Sequence, residues 1–156
     1  MNGKPITPQN LESAFAGESM AHIKYRYFAK ICRAAGDEST ARVFEETANQ
    51  EVQHAFGHLD LLYPPAAMSV ARCLEMAIAG ETYEYTEMYP SFRKAAEAER
   101  DACAVAEIDQ QIAESREHAE LFAETLSKAA KRFAALARVE EKHANHYREQ
   151  LAMVSA

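Results

Sequence analysis

Two Glu-x-x-His pairs, Glu51/His54 and Glu140/His143, are the residues in this chain best spaced for chemistry. On a helix, residues three apart stand one turn apart on the same face, so each carboxylate and imidazole can reach one cation together. Two further glutamates, Glu18 and Glu81, each follow Ala-Gly within an apolar helical pattern. A lone carboxylate in such a setting is costly to desolvate and calls for a cation. Glu84 lies one turn beyond Glu81, where the first copy of the pattern has Ala21, so the set is asymmetric. Carboxylates with a minority of imidazoles and no thiolate suit iron or manganese better than a structural zinc site. Glu18, Glu51, Glu81 and Glu140 together carry four negative charges, which two divalent cations neutralise. The residues therefore predict a two-metal site.

The elements that must position them read as helices. Proline occurs only at 5, 8, 64, 65 and 90, leaving long stretches free of the strongest helix breaker. Thr7-Pro8 reads as an N-cap followed by proline at the first helical position, and the first helix runs to about Arg33. Gly36-Asp37 separates it from a second, which runs to about Leu62 before Pro64-Pro65. Ser69 caps a third, in which Pro90 makes a kink or a break. From Ser91 onward there is neither Gly nor Pro, and helix is predicted with few visible boundaries.

An internal repeat orders these helices. Asn10–Ser19 aligns with Cys73–Thr82, placing Glu18 on Glu81. Ala41-x-x-Phe44-x-x-x-Ala48-x-x-Glu51-x-x-His54-Ala55 aligns with Ala130-x-x-Phe133-x-x-x-Ala137-x-x-Glu140-x-x-His143-Ala144. Two helical hairpins of one pattern predict an all-α, ferritin-like four-helix bundle in a single domain spanning residues 1–156. In that class one Glu from each of two helices and Glu-x-x-His from the other two meet at the centre. The offsets disagree, however: Glu81 follows Glu18 by 63 residues, whereas Glu140 follows Glu51 by 89. The second half thus carries an inserted helical segment, about 95–128, before the last helix. Within it His118 competes for the ligand role. The residue three before His118 is Ser115, with Glu114 displaced to four before, so the kept spacing favours Glu140 and His143.

The bulk properties limit the alternatives. A formal charge of −7 argues against nucleic acid, because a phosphate backbone needs a surplus of Lys and Arg. Neither a secretory h-region nor an apolar run long enough to span a membrane is visible, which leaves a cytoplasmic expectation. Cys32, Cys73 and Cys103 stand far apart with no Cys-x-x-Cys, so they read as free thiols rather than a zinc ribbon or a redox dithiol.

At these residues the sequence resembles the rubrerythrin family. The resemblance rests on Ala14–Ser19, Phe44–Ala55, Gly80-Glu-Thr-Tyr-Glu-Tyr-Thr-Glu-Met-Tyr-Pro90 and Phe133–Ala144. It implies two iron ions, with manganese or zinc as substitutes. Glu51 and Glu140 would bridge them, and Glu18, Glu81, Glu84, His54 and His143 would be terminal ligands. It also implies that one iron exchanges His54 for Glu84 on oxidation. Tyr25 and Tyr89 match family tyrosines that hydrogen-bond ligand carboxylates, while the residues alone allow them to be core aromatics. The chain shows no rubredoxin-like pair of Cys-x-x-Cys motifs, which implies a short, erythrin-type member served by an external electron donor, a rubredoxin-like protein or a reductase.

The expected activity is reduction of hydrogen peroxide to water by the di-iron pair. Two other readings share the ligands: oxidation and handling of ferrous iron, and a non-catalytic bundle stapled by its metal. A homodimer is expected, and the insertion calls for a crossover, two elongated helices or helices exchanged between subunits.

Overall fold

The computed structural model describes residues 6–154, which are helical apart from short connections. The chain divides between Met68 and Ser69 into two compact units.

Unit 1 is a helical hairpin of α1 (Thr7–Ala34) and α2 (Glu38–Leu62). Helix α1 begins one residue earlier than expected. Ile6 occupies the N-cap with no side-chain cap, and Pro8 lies in the first turn, where a missing N–H costs nothing. The reversal uses Gly36 at φ 84, a conformation that an L side chain resists. Asp37 then caps α2 by accepting from the Thr40 N–H at 2.9 Å.

The two helices approach through alanine. Ala29, Ala41 and Ala48 are 0% exposed, and Ala55 is also buried. His22 on α1 reaches the Ala48 carbonyl at 2.8 Å, so its Nδ1 carries the donated proton. Ala48→Leu will force these backbones apart and lower stability by about 1–3 kcal/mol. Chemical denaturation will report this as a reduced midpoint, and an unchanged midpoint would mean that the close approach is not needed.

Arg33 ties the hairpin ends together, with Nε 2.8 Å from Glu38 Oε2 and Nη1 3.0 Å from Glu45 Oε1. These bonds hold both carboxyls below their ordinary pKa of 4.5. A depressed folded value means the stabilisation is complete above 4.5 and is lost as pH falls through the lower folded values. Arg33→Met will therefore melt below the parent at pH 7, and the gap will close on acidification below 4.5. Because the groups are exposed, the gap will also shrink in high salt.

Unit 2 opens at Ser69, whose hydroxyl accepts from the Arg72 N–H at 3.1 Å to cap α3 (Val70–Tyr83). Pro90 neither breaks nor ends the helical rod. Residues Glu84–Met88 form a widened π-turn that leads directly into α4 (Tyr89–Glu99), with Pro90 in the first turn of α4. Proline lacks an N–H and crowds the carbonyl four residues earlier, and the wider turn absorbs both defects.

A boundary that composition hides follows. Arg100 adopts φ 61 without being glycine, and the Asp101 N–H bonds back to the Ala96 carbonyl at 3.0 Å. Asp101 then accepts from the Ala104 N–H at 2.9 Å and starts α5. Helix α5 runs unbroken from Ala102 to Val154, 53 residues and about 80 Å. The inserted segment is therefore not a separate helix before the last one. It is the first half of one continuous helix, and this first half is the part that buries residues against the rest of unit 2, at Ser115, Ala119 and Ala129. No helix among the described residues is long and apolar enough to cross a membrane.

Candidate metal centre

Unit 1 holds one cluster of donors. Glu18 on α1 and Glu51 and His54 on α2 bring ligand atoms to within 4.8 Å of one another. The alanine contacts set this spacing, because they let α1 and α2 approach closely on the side that carries the carboxylates. Glu51 is mostly covered, whereas His54 is largely exposed. His54 Nδ1 lies 2.9 Å from Glu51 Oε2, so the ring donates there and its Nε2 remains free to bind a cation. Two carboxylates and one imidazole within this span fit a hard or borderline divalent ion.

Unit 2 assembles a second cluster from Glu81, Glu84, Ser115 and His118. His118 Nδ1 lies 3.5 Å from Glu81 Oε1. The Ser115 hydroxyl donates to Glu84 Oε2 at 3.0 Å, and Ser115 itself is 4% exposed. The π-turn begins at Glu84 and widens the helix directly after Glu81, at the level of Ser115. Unit 2 thus offers two pairs, His118 with Glu81 and Ser115 with Glu84, whereas among the described residues the three-donor group within 4.8 Å is that of unit 1.

The packing of unit 2 selects His118, not His143, as the histidine beside Glu81. Glu140 and His143 lie 22 and 25 residues further along the same helix, roughly 33–38 Å away, so within the unit they cannot join Glu81. The register explains the choice. Glu81 corresponds to Glu18 at an offset of 63, and Ser115, His118 and Ala119 correspond to Glu51, His54 and Ala55 at 64. Ala55 and Ala119 are both buried, as equivalent contacts should be. The offset of 89 seen in the sequence disappears. What hid this register is the serine, which takes the place where the pattern demands Glu. Glu114, the other competitor, accepts instead from Gln110 on its own helix at 2.7 Å.

The two tyrosines differ. Tyr25 packs its ring against Phe44 and Phe28, at centroid distances of 5.9 and 6.4 Å. Tyr89 meets Phe92 edge-on at 6.3 Å. Burial holds the Tyr89 phenol above its ordinary pKa, and the negative charges of Glu84, Glu81 and Glu107 push it the same way. It therefore keeps its proton across the physiological range.

The Rubrerythrin family model matches residues 9–64 and 59–126, more than half of the chain. The chain belongs to the rubrerythrin family. The rubrerythrin match takes in Glu18, Glu51, His54, Glu81, Glu84, Ser115 and His118, and it ends before Glu140 and His143. Rubrerythrin of Porphyromonas gingivalis is 39% identical over 104 residues, 60% of this chain and 52% of its own length. Nigerythrin of Nitratidesulfovibrio vulgaris is 38% identical over 111 residues, 64% of this chain and 55% of its own. The chain thus spans about half the length of these curated relatives. Among solved structures, fully reduced, all-ferrous nigerythrin aligns with 83% of this chain and 70% of its own, at 33% identity and a TM-score of 0.42.

Proposed function

We propose that this rubrerythrin-family protein is a non-haem di-iron peroxidase that reduces hydrogen peroxide to water with electrons from an external redox protein. The observation that carries the reading is the convergence of Glu18, Glu51 and His54, with Glu81 and His118 as the repeat partners of Glu18 and His54. In this reading Glu18, Glu51 and His54 hold one ion, and Glu81, Glu84 and His118 supply donors for the other. The four glutamates balance two divalent ions, and each cluster adds one imidazole. Glu140 and His143 are left out of the set.

When bound, the ferrous pair supplies two electrons, one from each ion, and the Lewis acidity that polarises an O–O bond. The chain's own residues do the rest. Converting hydrogen peroxide to two waters consumes two protons as well as two electrons, and the site must deliver those protons. The Ser115 hydroxyl fixes one oxygen of Glu84 and leaves the other free to accept or pass a proton. Tyr89 keeps its phenol protonated beside these carboxylates and serves as a donor. An imidazole binds a cation only through an unprotonated ring nitrogen, so His54 and His118 act as ligands in their neutral form.

The test is to count iron, reduce the protein anaerobically, and mix it rapidly with either stoichiometric hydrogen peroxide or air-saturated buffer. About two irons per chain, and oxidation much faster with peroxide than with dioxygen, are expected. Equal rates together with turnover of added ferrous iron would make iron oxidation the function. Absence of tightly bound metal would end the di-iron reading.

A further inference from the structure

Ser115 differs from Ser19, Thr47, Thr86 and Thr125, which each donate to the carbonyl four residues earlier, at 2.6–2.9 Å. That local bond is the usual resting place of a helical hydroxyl. Ser115 leaves it and donates across to Glu84 Oε2 at 3.0 Å, from a position only 4% exposed. A hydroxyl aimed at a carboxylate makes a charge-assisted bond, stronger than the local one it forgoes. The repeat shows what this bond replaces. At the offset of 63 Glu84 stands on Ala21, and at 64 Ser115 stands on Glu51. Unit 2 has therefore gained a carboxylate at the start of the π-turn and lost one from α5, at two positions whose side chains meet.

We propose that Ser115 is a positioning residue: it fixes Glu84 as the stand-in for the carboxylate missing from α5, and the two ions are in consequence bound unequally. The number of donors is conserved. Glu18, Glu51 and His54 in unit 1 are answered by Glu81, Glu84 and His118 in unit 2. Their readiness is not conserved. The unit 1 donors already lie within 4.8 Å of one another, whereas unit 2 offers the separate pairs His118–Glu81 and Ser115–Glu84. Donors that must still be gathered lower the affinity for whatever gathers them. The unit 2 ion is therefore the weaker one and binds second. Ser115 limits that loss by holding Glu84 in one place, as a hydrogen bond to a ligand carboxylate does elsewhere. The inference rests on the two-ion reading given above and extends it to the order of loading.

The experiment titrates the metal-free full chain with cobalt(II) alone, following the visible bands of the bound ion and its count per chain. The parent is expected to fill in two steps, the second weaker. Ser115→Ala removes one hydroxyl and leaves the packing in place. It should weaken the second step by about 10–100-fold and leave the first unchanged. Glu84→Ala should lose the second step. Adding Ser115→Glu to Glu84→Ala restores the pattern of Ala21 and Glu51, and the second step should return. A serine with a merely structural role would shift both steps together or only the melting temperature. Two equal steps in the parent, an unchanged second step in Ser115→Ala, or both steps kept in Glu84→Ala would overturn the proposal. A folded double variant that stays at one ion would do the same. A parent that binds no ion would end the two-ion reading itself, so the two failures are distinguishable.

Discussion

Glu51→Ala will leave the protein unable to hold its iron pair. Glu51 is one of three donors in the unit 1 cluster, with Glu18 within the same 4.8 Å span and His54 hydrogen-bonded to its Oε2. It is also the better covered of the Glu-x-x-His pair, so little water can substitute for the lost oxygens. Removing it takes away one of three donors in its cluster and the acceptor that orients His54. Changing a residue that merely supports a ligand commonly costs 10–100-fold in affinity, so loss of this carboxylate should exceed about 100-fold. Iron is expected to fall from about two per chain to about one, and peroxide turnover to be lost with the pair. Elemental analysis beside a circular dichroism spectrum separates this from misfolding, because Glu51 contributes none of the buried alanine contacts between α1 and α2. A variant that kept both irons and full turnover would remove Glu51 from the site and take the proposed mechanism with it.

His118→Ala and His143→Ala will part company in metal content. The first removes the imidazole 3.5 Å from Glu81 and should bring iron down from about two per chain to about one, leaving the unit 1 cluster loaded. The second alters a side chain roughly 38 Å further along α5 and should leave both irons in place. The visible spectrum of the oxidised protein will follow the count, since an imidazole lost from one ion changes its ligand field. The opposite result, with iron lost only on changing His143, would mean that 130–144 packs against α3 in place of 102–129 when metal is present. Two further substitutions refine the unit 2 cluster. Ser115→Ala frees Glu84 from its hydrogen bond, and Ser115→Glu supplies the carboxylate that the repeat pattern demands; both are read by iron affinity.

Much of the local structure was legible because it depends on near neighbours. Gly36-Asp37 and Ser69 mark helix limits through a positive φ and through hydroxyl or carboxylate caps, all of which act within four residues. Pro90 was visible as a disturbance, but not its resolution as a π-turn, because a helix can kink, break or widen at proline and only packing chooses. The Arg100–Asp101 boundary was missed for a related reason. Its C-cap uses Arg where glycine is the usual signal, although Asp101 was a readable start for α5.

The candidate donor residue types, the repeat that pairs Glu18 with Glu81, the family resemblance and the all-helical class were determined by the sequence itself. Each follows from side-chain chemistry and from the fixed period of the helix, which no tertiary contact can alter. Which histidine stands beside Glu81 was decided only by the tertiary structure. Two segments of α5 compete for the place opposite α3, and the one with the better Glu-x-x-His pattern is not the one that packs there. The sequence match weighed Glu140 heavily, whereas packing weighs the whole run of contacts that follows α4 through the short turn at Arg100–Asp101. That turn delivers 102–129 to α3 first, at a register where Ala119 is buried and Ser115 meets Glu84, and it leaves Glu140 and His143 about 35 Å away on the same rigid helix.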